Sequence, residues 1–202
     1  MPHGDLIHLH DPVGVAVVSY KRPCPQTKAD GLANAHKVRQ MIEGMKLGLP
    51  DLGLVIFPRH SIQGMPGDAD VMAVLAVLAQ ACRNAKVWAV FAMNVDEPAC
   101  TTLVLMNDQG EIVHQHRDGL DGMKISIAIG HHDANAMLAV RCQGGRTLVD
   151  FNGVPLGECG EDRYGIHHIA LGAQGPITNA SGDPRSRPRG PRPDAAPPPA
   201  RP

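Results

Sequence analysis

Apolar residues recur along the chain with two different periods, and these periods predict the secondary structure. The continuous apolar run Val13–Val18 is typical of a strand covered on both faces. From Asp30 onward, apolar residues recur at spacings of three and four, which predicts a helix that Asp30 caps. A second helix, apolar on most sides and therefore well buried, is expected from Asp68 or Asp70 to about Ala85.

Shorter apolar runs predict the remaining strands. These runs are Leu54–Phe57, Val87–Met93, Thr101–Met106, Glu111–His116, Met123–Ile129, Met137–Cys142, Thr147–Phe151 and Gly165–Leu171. The segment Gly157–Gly160 is predicted to form a tight turn between strands, in which the glycines serve backbone geometry. Strands alternating with helices, followed by further strands, indicate a layered α/β fold.

Composition restricts both the core and the partners. Aromatic residues make up only 3% of the 202 residues, so the core is expected to consist of Val, Ile, Leu, Met and Ala. The formal net charge of −1 provides no chain-wide basic field, which argues against nucleic-acid binding. The five cysteines include no C-x-x-C pair and fit neither a disulfide framework nor a zinc ribbon.

The two ends of the chain differ in character. No basic and apolar leader precedes the first strand, and the longest apolar run, Val71–Ala79, is too short to cross a bilayer. We therefore expect a cytoplasmic protein with reduced thiols that does not bind membranes. Residues 173–202 hold nine of the 18 prolines and five arginines. This composition predicts a disordered, dispensable tail after a folded domain of residues 1–172.

Several sequence blocks, in the same order, resemble the short-chain aliphatic amidases of the nitrilase (carbon–nitrogen hydrolase) superfamily. These blocks are HGD, VGVAVVSYK, ANAHKVRQMIEGMKLGLPDLGLVIFP, SIQG, ACRNAKVWAVF, TTLVL, GEIV, GMKISIAI, VRCQG and PLGECGEDRYGI. The resemblance implies an α-β-β-α sandwich whose subunits pair into larger oligomers. It also implies a parental reaction, hydrolysis of a small aliphatic amide to a carboxylate and ammonia through a cysteine thioester.

All three catalytic positions of the family are substituted in this chain. The family glutamate of the F-P-E block is replaced by Arg59, which cannot act as a general base. The family lysine is replaced by Asp118, which reverses the charge that holds an oxyanion. The family cysteine is replaced by Gly130, which has no nucleophile. The resemblance therefore implies an amidase-like protein that is catalytically inactive, a pseudoenzyme.

The chain also lacks two stretches that the family carries. Only Gly119–Gly122 fills the span between the lysine and cysteine positions, where the family has a further glutamate segment. A second gap follows Gln143-Gly144, where the family has a helix and a strand before the final GECG block. The expected fold is therefore a truncated nitrilase-type sandwich with missing segments.

Other residues offer alternative chemistry. Cys142, on a strand expected near the former site, is the candidate for a surrogate nucleophile. His114 and His116, two apart on a strand, and His131 are weak candidates for a hydrolytic metal site, although no H-E-x-x-H spacing supports them. Arg59 is alternatively a carboxylate-binding group, which would make the chain a binding protein. No cofactor is predicted.

The last expectation concerns partners. Apolar residues cover nearly the whole circumference of the second predicted helix, and the missing layers are expected to leave core faces uncovered. We therefore predict self-association, or association with an intact amidase-like subunit as a non-catalytic interaction partner. A small amide or carboxylate remains a possible ligand.

Overall fold

The computed structural model describes most of the predicted domain. The described residues are 7–9, 13–19, 28–58, 61–62, 68–94, 101–118, 124–129, 137–143, 146–151, 153–159, 165–172 and 175–176. Two helices lie among them, α1 (Lys28–Gly48) and α2 (Asp68–Ala85). The strands are β1 (Ile7–Leu9), β2 (Val13–Ser19), β3 (Leu52–Ile56), β4 (Trp88–Asn94), β5 (Thr101–Met106), β6 (Ile112–Asp118), β7 (Lys124–Ile129), β8 (Met137–Gln143), β9 (Arg146–Phe151), β10 (Val154–Cys159), β11 (Gly165–Gly172) and β12 (Gly175–Pro176).

The strands form two sheets. One has seven strands in the order β12-β11-β2-β3-β4-β5-β6, and the other has five in the order β1-β7-β8-β9-β10. The strands β2, β3 and β4 are parallel because α1 and α2 provide the crossovers between them. The described residues thus form three layers, with the two helices on one face of the larger sheet and the smaller sheet on the other.

The strand β2 shows why its apolar run is continuous. Val13, Val15 and Val17 face the smaller sheet, whereas Ala16 and Val18 face the helices. All five side chains are buried, because side chains alternate between two covered faces of the strand. The interpretation of this run as a strand covered on both sides is confirmed.

The helix-side core, between the helices and the larger sheet, explains the helical periodicity. Ala35, Val38, Ile42 and Met45 of α1 are buried in it, as the spacing of three and four predicts. Leu32, the first residue of the predicted stripe, is instead 38% exposed. The α2 helix contributes Val74, Leu78, Ala81, Cys82 and Ala85 to the same core.

Aliphatic side chains supply most of the core, and all three phenylalanines join them. Phe57 and Phe91 lie in the helix-side core, and Phe151 lies in the inter-sheet core between the two sheets. The inter-sheet core is otherwise built from valine, leucine, isoleucine and alanine of both sheets. Since aromatics are scarce, the close fit of branched aliphatic residues carries most of the burial.

Several boundaries differ from the sequence-based predictions. The α1 helix begins at Lys28, so Asp30 lies inside its first turn and is not its cap. The predicted turn at Gly157 belongs to β10, which pairs with β9 through a local irregularity between Pro155 and Gly157. The short strand β1 was not predicted, because three residues are too few for a periodic signal.

The larger sheet continues past the predicted end of the domain. In β12, Gly175 and Pro176 pair with Gly172 and Leu171 of β11. Residues 177–202 of the predicted tail lie outside the described residues. None of the helices in the described ranges is long and apolar enough to span a membrane.

Two charged residues of α1 make contacts inside the chain. The Glu43 carboxylate accepts hydrogen bonds from Arg39 at 2.9 Å and from Asn84 of α2 at 3.0 Å. The bond from Asn84 is the main reason that the pKa of Glu43 is lowered. The Lys46 ammonium donates to the carbonyls of Pro50 and Leu52 at 2.9 and 2.7 Å, which ties the end of α1 to the start of β3.

Candidate functional site

The Phe57-Pro58 pair fixes the start of the segment that carries Arg59. Phe57 is fully buried and stacks on Phe91, with 5.4 Å between ring centroids. The Phe57 amide donates to the Val90 carbonyl at 3.0 Å, which extends the pairing of β3 with β4 by one residue. Pro58, the last described residue before Arg59, therefore lies at the carboxyl edge of the parallel strands, where α/β folds place their functional groups.

The chain is fixed again only three residues beyond Pro58. The Ser61 amide donates to the Pro58 carbonyl at 3.1 Å, and the Ser61 hydroxyl donates to the Ala92 carbonyl at 3.2 Å. Ile62 then forms a parallel bridge with Met93 of β4. Arg59 stands between these two anchored points in the sequence and lies outside the described residues.

Asp118 lies at the same edge of the same sheet. It is the last residue of β6 and pairs with Thr101, which in turn pairs with Asn94 at the end of β4. Two antiparallel steps make β6 parallel to β4, so their carboxyl ends coincide. The strand β3, which leads to Pro58, is three strand positions from β6, about 14 Å at ordinary strand spacing. The side chain of Asp118 lies outside the described part of the chain.

The third expected family position, Gly130, lies outside the described residues. In the sequence it directly follows Ile129, the last residue of β7 in the smaller sheet. The strand β7 pairs with β1 on one side and β8 on the other, and Ile127 anchors it in the inter-sheet core. The topology thus places Pro58 and Asp118 at one edge of one sheet, and Ile129, the residue before Gly130, at the end of a strand of the facing sheet.

The register of β8 fixes the backbone position of Cys142. Lys124 pairs with Arg141 and Ala128 pairs with Met137, so Cys142 lies just beyond the amino end of β7. The carboxyl end of β7, at Ile129, is about 20 Å away along the extended strand. The side chain of Cys142 lies outside the described residues, so its role as a surrogate nucleophile stays a prediction.

The histidine candidates do not form a described metal site. His114 is half-buried on β6, and its Nε2 atom is shielded from solvent with no hydrogen-bond partner in the described structure. His116 follows two residues later on the same strand, and its side chain, like the whole of His131, lies outside the described residues. Within the described ranges, no three His, Cys, Asp or Glu residues come together to hold a metal ion.

Cys82, the cysteine whose side chain the structure describes, lies away from the carboxyl edge of the larger sheet. Cys82 lies in α2, fully buried in the helix-side core. Desolvation raises the pKa of its thiol to about 12, while the nearby Arg83 charge opposes the rise and Asp108 adds to it. A buried thiol of this kind is inert, because nucleophilic chemistry requires an accessible thiolate.

Comparison with solved structures identifies the architecture. The chain superposes on Saccharomyces cerevisiae Nit3, a member of branch 10 of the nitrilase superfamily, with a TM-score of 0.54 and 13% identity, covering 81% of this chain and 91% of that one. A mutant of the Nesterenkonia AN1 amidase from the same superfamily gives a TM-score of 0.55 and 12% identity, covering 86% and 93%. The fold is of the nitrilase type.

Sequence comparison finds relatives that are named formamidases. The formamidase of Helicobacter acinonychis (strain Sheeba) is 26% identical over 153 residues, covering 58% of this chain and 46% of that protein. The formamidase of Bacillus cereus (strain B4264) is 25% identical over 156 residues, covering 57% and 45%. The chain thus spans about half the length of the curated relatives it matches. No protein-family model matches it.

The sequence did not predict that Ser61 would anchor the chain by its hydrogen bonds to Pro58 and Ala92. Ser61 is completely buried, although a serine in a short polar segment carries no periodic signal. Its only mark in the sequence is its place in the SIQG block, which forms part of the resemblance. The β4 carbonyl that accepts its hydroxyl becomes apparent only when the chain is folded.

Proposed function

We propose that this chain is an amidase relative of the nitrilase superfamily that does not hydrolyse amides. Its ancestry in the hydrolysis of small aliphatic amides is supported by the collinear sequence blocks, the nitrilase-type fold and the formamidase relatives. Formamide therefore joins acetamide and propionamide as a substrate to be tested.

The residue types at the three family positions carry this proposal. A guanidinium at Arg59 stays protonated and accepts no proton from a nucleophile. A carboxylate at Asp118 repels the negative charge that develops on the tetrahedral intermediate. Gly130 has no atom with which to attack the amide carbon. Catalytic groups of this kind act as a unit, and their loss costs about six orders of magnitude in rate.

The packing next to these positions supports the proposal that the catalytic side chains were replaced while the strands that position them were kept. Phe57 and Pro58 are buried, Ser61 anchors the loop that follows, and Asp118 ends a paired strand. This packing is what we expect if the edge keeps the family's elements while the side chains on it have changed.

The test is a measurement of ammonia release from formamide, acetamide and propionamide by the purified full chain. An active formamidase assayed in parallel serves as the positive control. We expect no release above the buffer background. Ammonia release that scales with protein concentration and survives repurification would overturn the proposal, and the Cys142→Ser variant would then show whether that cysteine carries the activity.

A further inference from the structure

A groove lies between the outer side of α1 and β11. Its volume is about 440 Å³, which is in the range of small-molecule sites. Met41 and Met45 of α1, Leu49 directly after the helix and Ile166 of β11 form its apolar walls. Ile166 is 51% exposed, so this apolar surface is open to solvent.

Two glycines leave a path for a ligand along α1. Gly44 and Gly48 line the groove, and a Cβ atom added at either position meets no atom within 4 Å. They follow Met41 at spacings of three and seven, which keep all three residues on one side of the helix. A ligand can therefore lie along the helix for about 10 Å, the rise from Met41 to Gly48, with the helix backbone as its floor.

A contact between Asp51 and His168 marks one end of the groove. Asp51 follows Leu49 by two residues, beyond the end of α1, and His168 lies two residues after Ile166 on the same face of β11. Asp51 Oδ2 is 3.4 Å from His168 Nε2, so the continuations of the two walls meet there. The Asp51 side chain is 52% exposed, and its carboxylate disfavours an anion at this end.

The opposite end of the groove carries groups that suit an anion. Gln40 is the polar side chain in the lining. Lys37 is exposed one turn before Met41, on the same side of α1. Because an amide donor and an ammonium group both bind carboxylates, the groove favours a negative charge at this end and disfavours it at the other.

We propose that this groove binds a free medium-chain fatty acid, with its carboxylate at Gln40 and Lys37 and its alkyl chain on the methionines and glycines of α1. The lining contains no aromatic ring on which a planar ligand would stack. Methionine side chains are flexible and adapt to the irregular shape of an alkyl chain.

The groove is separate from the edge that carries the family positions. The α1 helix ends at Gly48 and leads into Leu52 at the start of β3, whereas Pro58 follows the carboxyl end of that strand. The Leu49 end of the groove is therefore near the opposite edge of the sheet. Binding there does not depend on whether the chain hydrolyses amides, so the two proposals fail independently.

The first test is isothermal titration calorimetry of the full chain with hexanoate, octanoate and decanoate, each below its micelle concentration. We expect one bound ligand per chain, with an affinity that rises about fourfold for each added methylene. Decanol and decylammonium should bind about tenfold more weakly than decanoate, because they lack the carboxylate. Equal affinity for the three head groups would overturn the proposal. Absence of decanoate binding, as expected if another protein chain fills the groove, would overturn it too.

Methionine methyl signals in the NMR spectrum locate the bound ligand. Decanoate should shift the signals of Met41 and Met45, which line the groove. Met72 is 66% exposed on α2 and serves as the control, so its signal should stay in place. Equal shifts at all three methionines would show unspecific binding to apolar surface and would overturn the proposal.

A substitution that fills the groove provides a further test. Gly44→Leu adds a branched side chain at an exposed position, and Ala73→Leu adds one at an exposed position of α2. We expect Gly44→Leu to weaken decanoate binding by at least about tenfold and Ala73→Leu to leave it unchanged. Thermal unfolding verifies that both variants are folded. Equal decanoate affinity in the two variants would contradict the site.

Charge reversal tests the position of the carboxylate. Lys37→Glu should weaken decanoate binding by about threefold to tenfold and strengthen decylammonium binding. Lys86→Glu makes the same change in net charge at an exposed position after α2, and should leave both affinities unchanged. An equal effect of the two substitutions would show that only the net charge acts, and would overturn the placement of the carboxylate at Lys37.

Discussion

At the scale of single residues, Cys82 shows how burial controls chemistry in this protein. Its thiol is fully enclosed by the helix-side core. Loss of hydration is the largest cause of the rise in its pKa from 9.0 to about 12. The native state therefore keeps the proton at a pH where an unfolded chain has lost it.

This difference predicts a loss of stability at alkaline pH. Above pH 9.0 and up to about pH 12, the unfolded state binds fewer protons at Cys82 than the native state does. The free energy of unfolding then decreases as pH rises, by about 1.4 kcal/mol per unit for this group. Denaturant unfolding of the wild type and of Cys82→Ala, from about pH 8 to about pH 11, measures the contribution as the difference between their slopes.

Cys82→Ala is the control, because it removes the thiol and leaves the other titrating groups in place. The variant is expected to be less stable at neutral pH, since it leaves a small cavity in the core. The stability difference from the wild type should narrow as pH rises. Parallel pH profiles for the two proteins would show that the thiol ionises equally in both states.

At the scale of elements, the turn between β5 and β6 shows how a hairpin and a helix are held together. The Asn107 side-chain oxygen accepts from the amides of Gln109 and Glu111 at 3.0 and 2.8 Å. Gly110 then adopts a φ of +74°, and a Cβ placed there would lie 2.6 Å from the carbonyl oxygen of Ala79 in α2. The glycine thus allows both the turn and its close contact with the helix.

We predict that Gly110→Ala destabilises the protein by at least about 2 kcal/mol, from left-handed backbone strain together with the clash at α2. Gly153→Ala is the matched control, because Gly153 has a φ of +82° but no atom within 4 Å of an added Cβ. That control should lose only about 1 kcal/mol. Denaturant unfolding measures the loss of unfolding free energy in each variant. Equal losses would show that the close contact with α2 adds nothing to the destabilisation.

At the scale of the whole molecule, the pairing of β12 with β11 bears on where the folded unit ends. Composition placed the boundary after Gly172, whereas β12 adds the pairing of Gly175 and Pro176 with β11. A chain that ends at Pro176 retains this pairing, and a chain that ends at Gly172 loses it.

We predict that truncation after Pro176 leaves the Tm unchanged, because residues 177–202 are rich in proline and arginine and contain no aromatic residue. Truncation after Gly172 should lower the Tm by a few degrees, since it removes the edge pairing of β11. Thermal unfolding of the three chains decides both statements. A clear loss of stability in the Pro176 truncation would mean that the tail packs on the domain.

The sequence by itself determined most elements of the domain. The strand β2 and the helix α1 follow from hydrophobic periodicity, since each pattern depends on residues close together in the chain. The residue types of Arg59, Asp118 and Gly130 are likewise read directly from the sequence, next to or between the collinear blocks. The prediction that Asp30 caps α1 was wrong, because the sequence marks where a helix begins less clearly than it marks the helix itself.

Only the tertiary structure decided what depends on contacts between distant residues. The pairing of β1 with β7, more than one hundred residues later, and the register that separates Cys142 from the end of β7 leave no local trace in the sequence. The same is true of the burial of Ser61 and of its hydrogen bond to the Ala92 carbonyl of β4. Periodicity specifies which face of an element is apolar, whereas strand order and register arise from the simultaneous packing of all the faces.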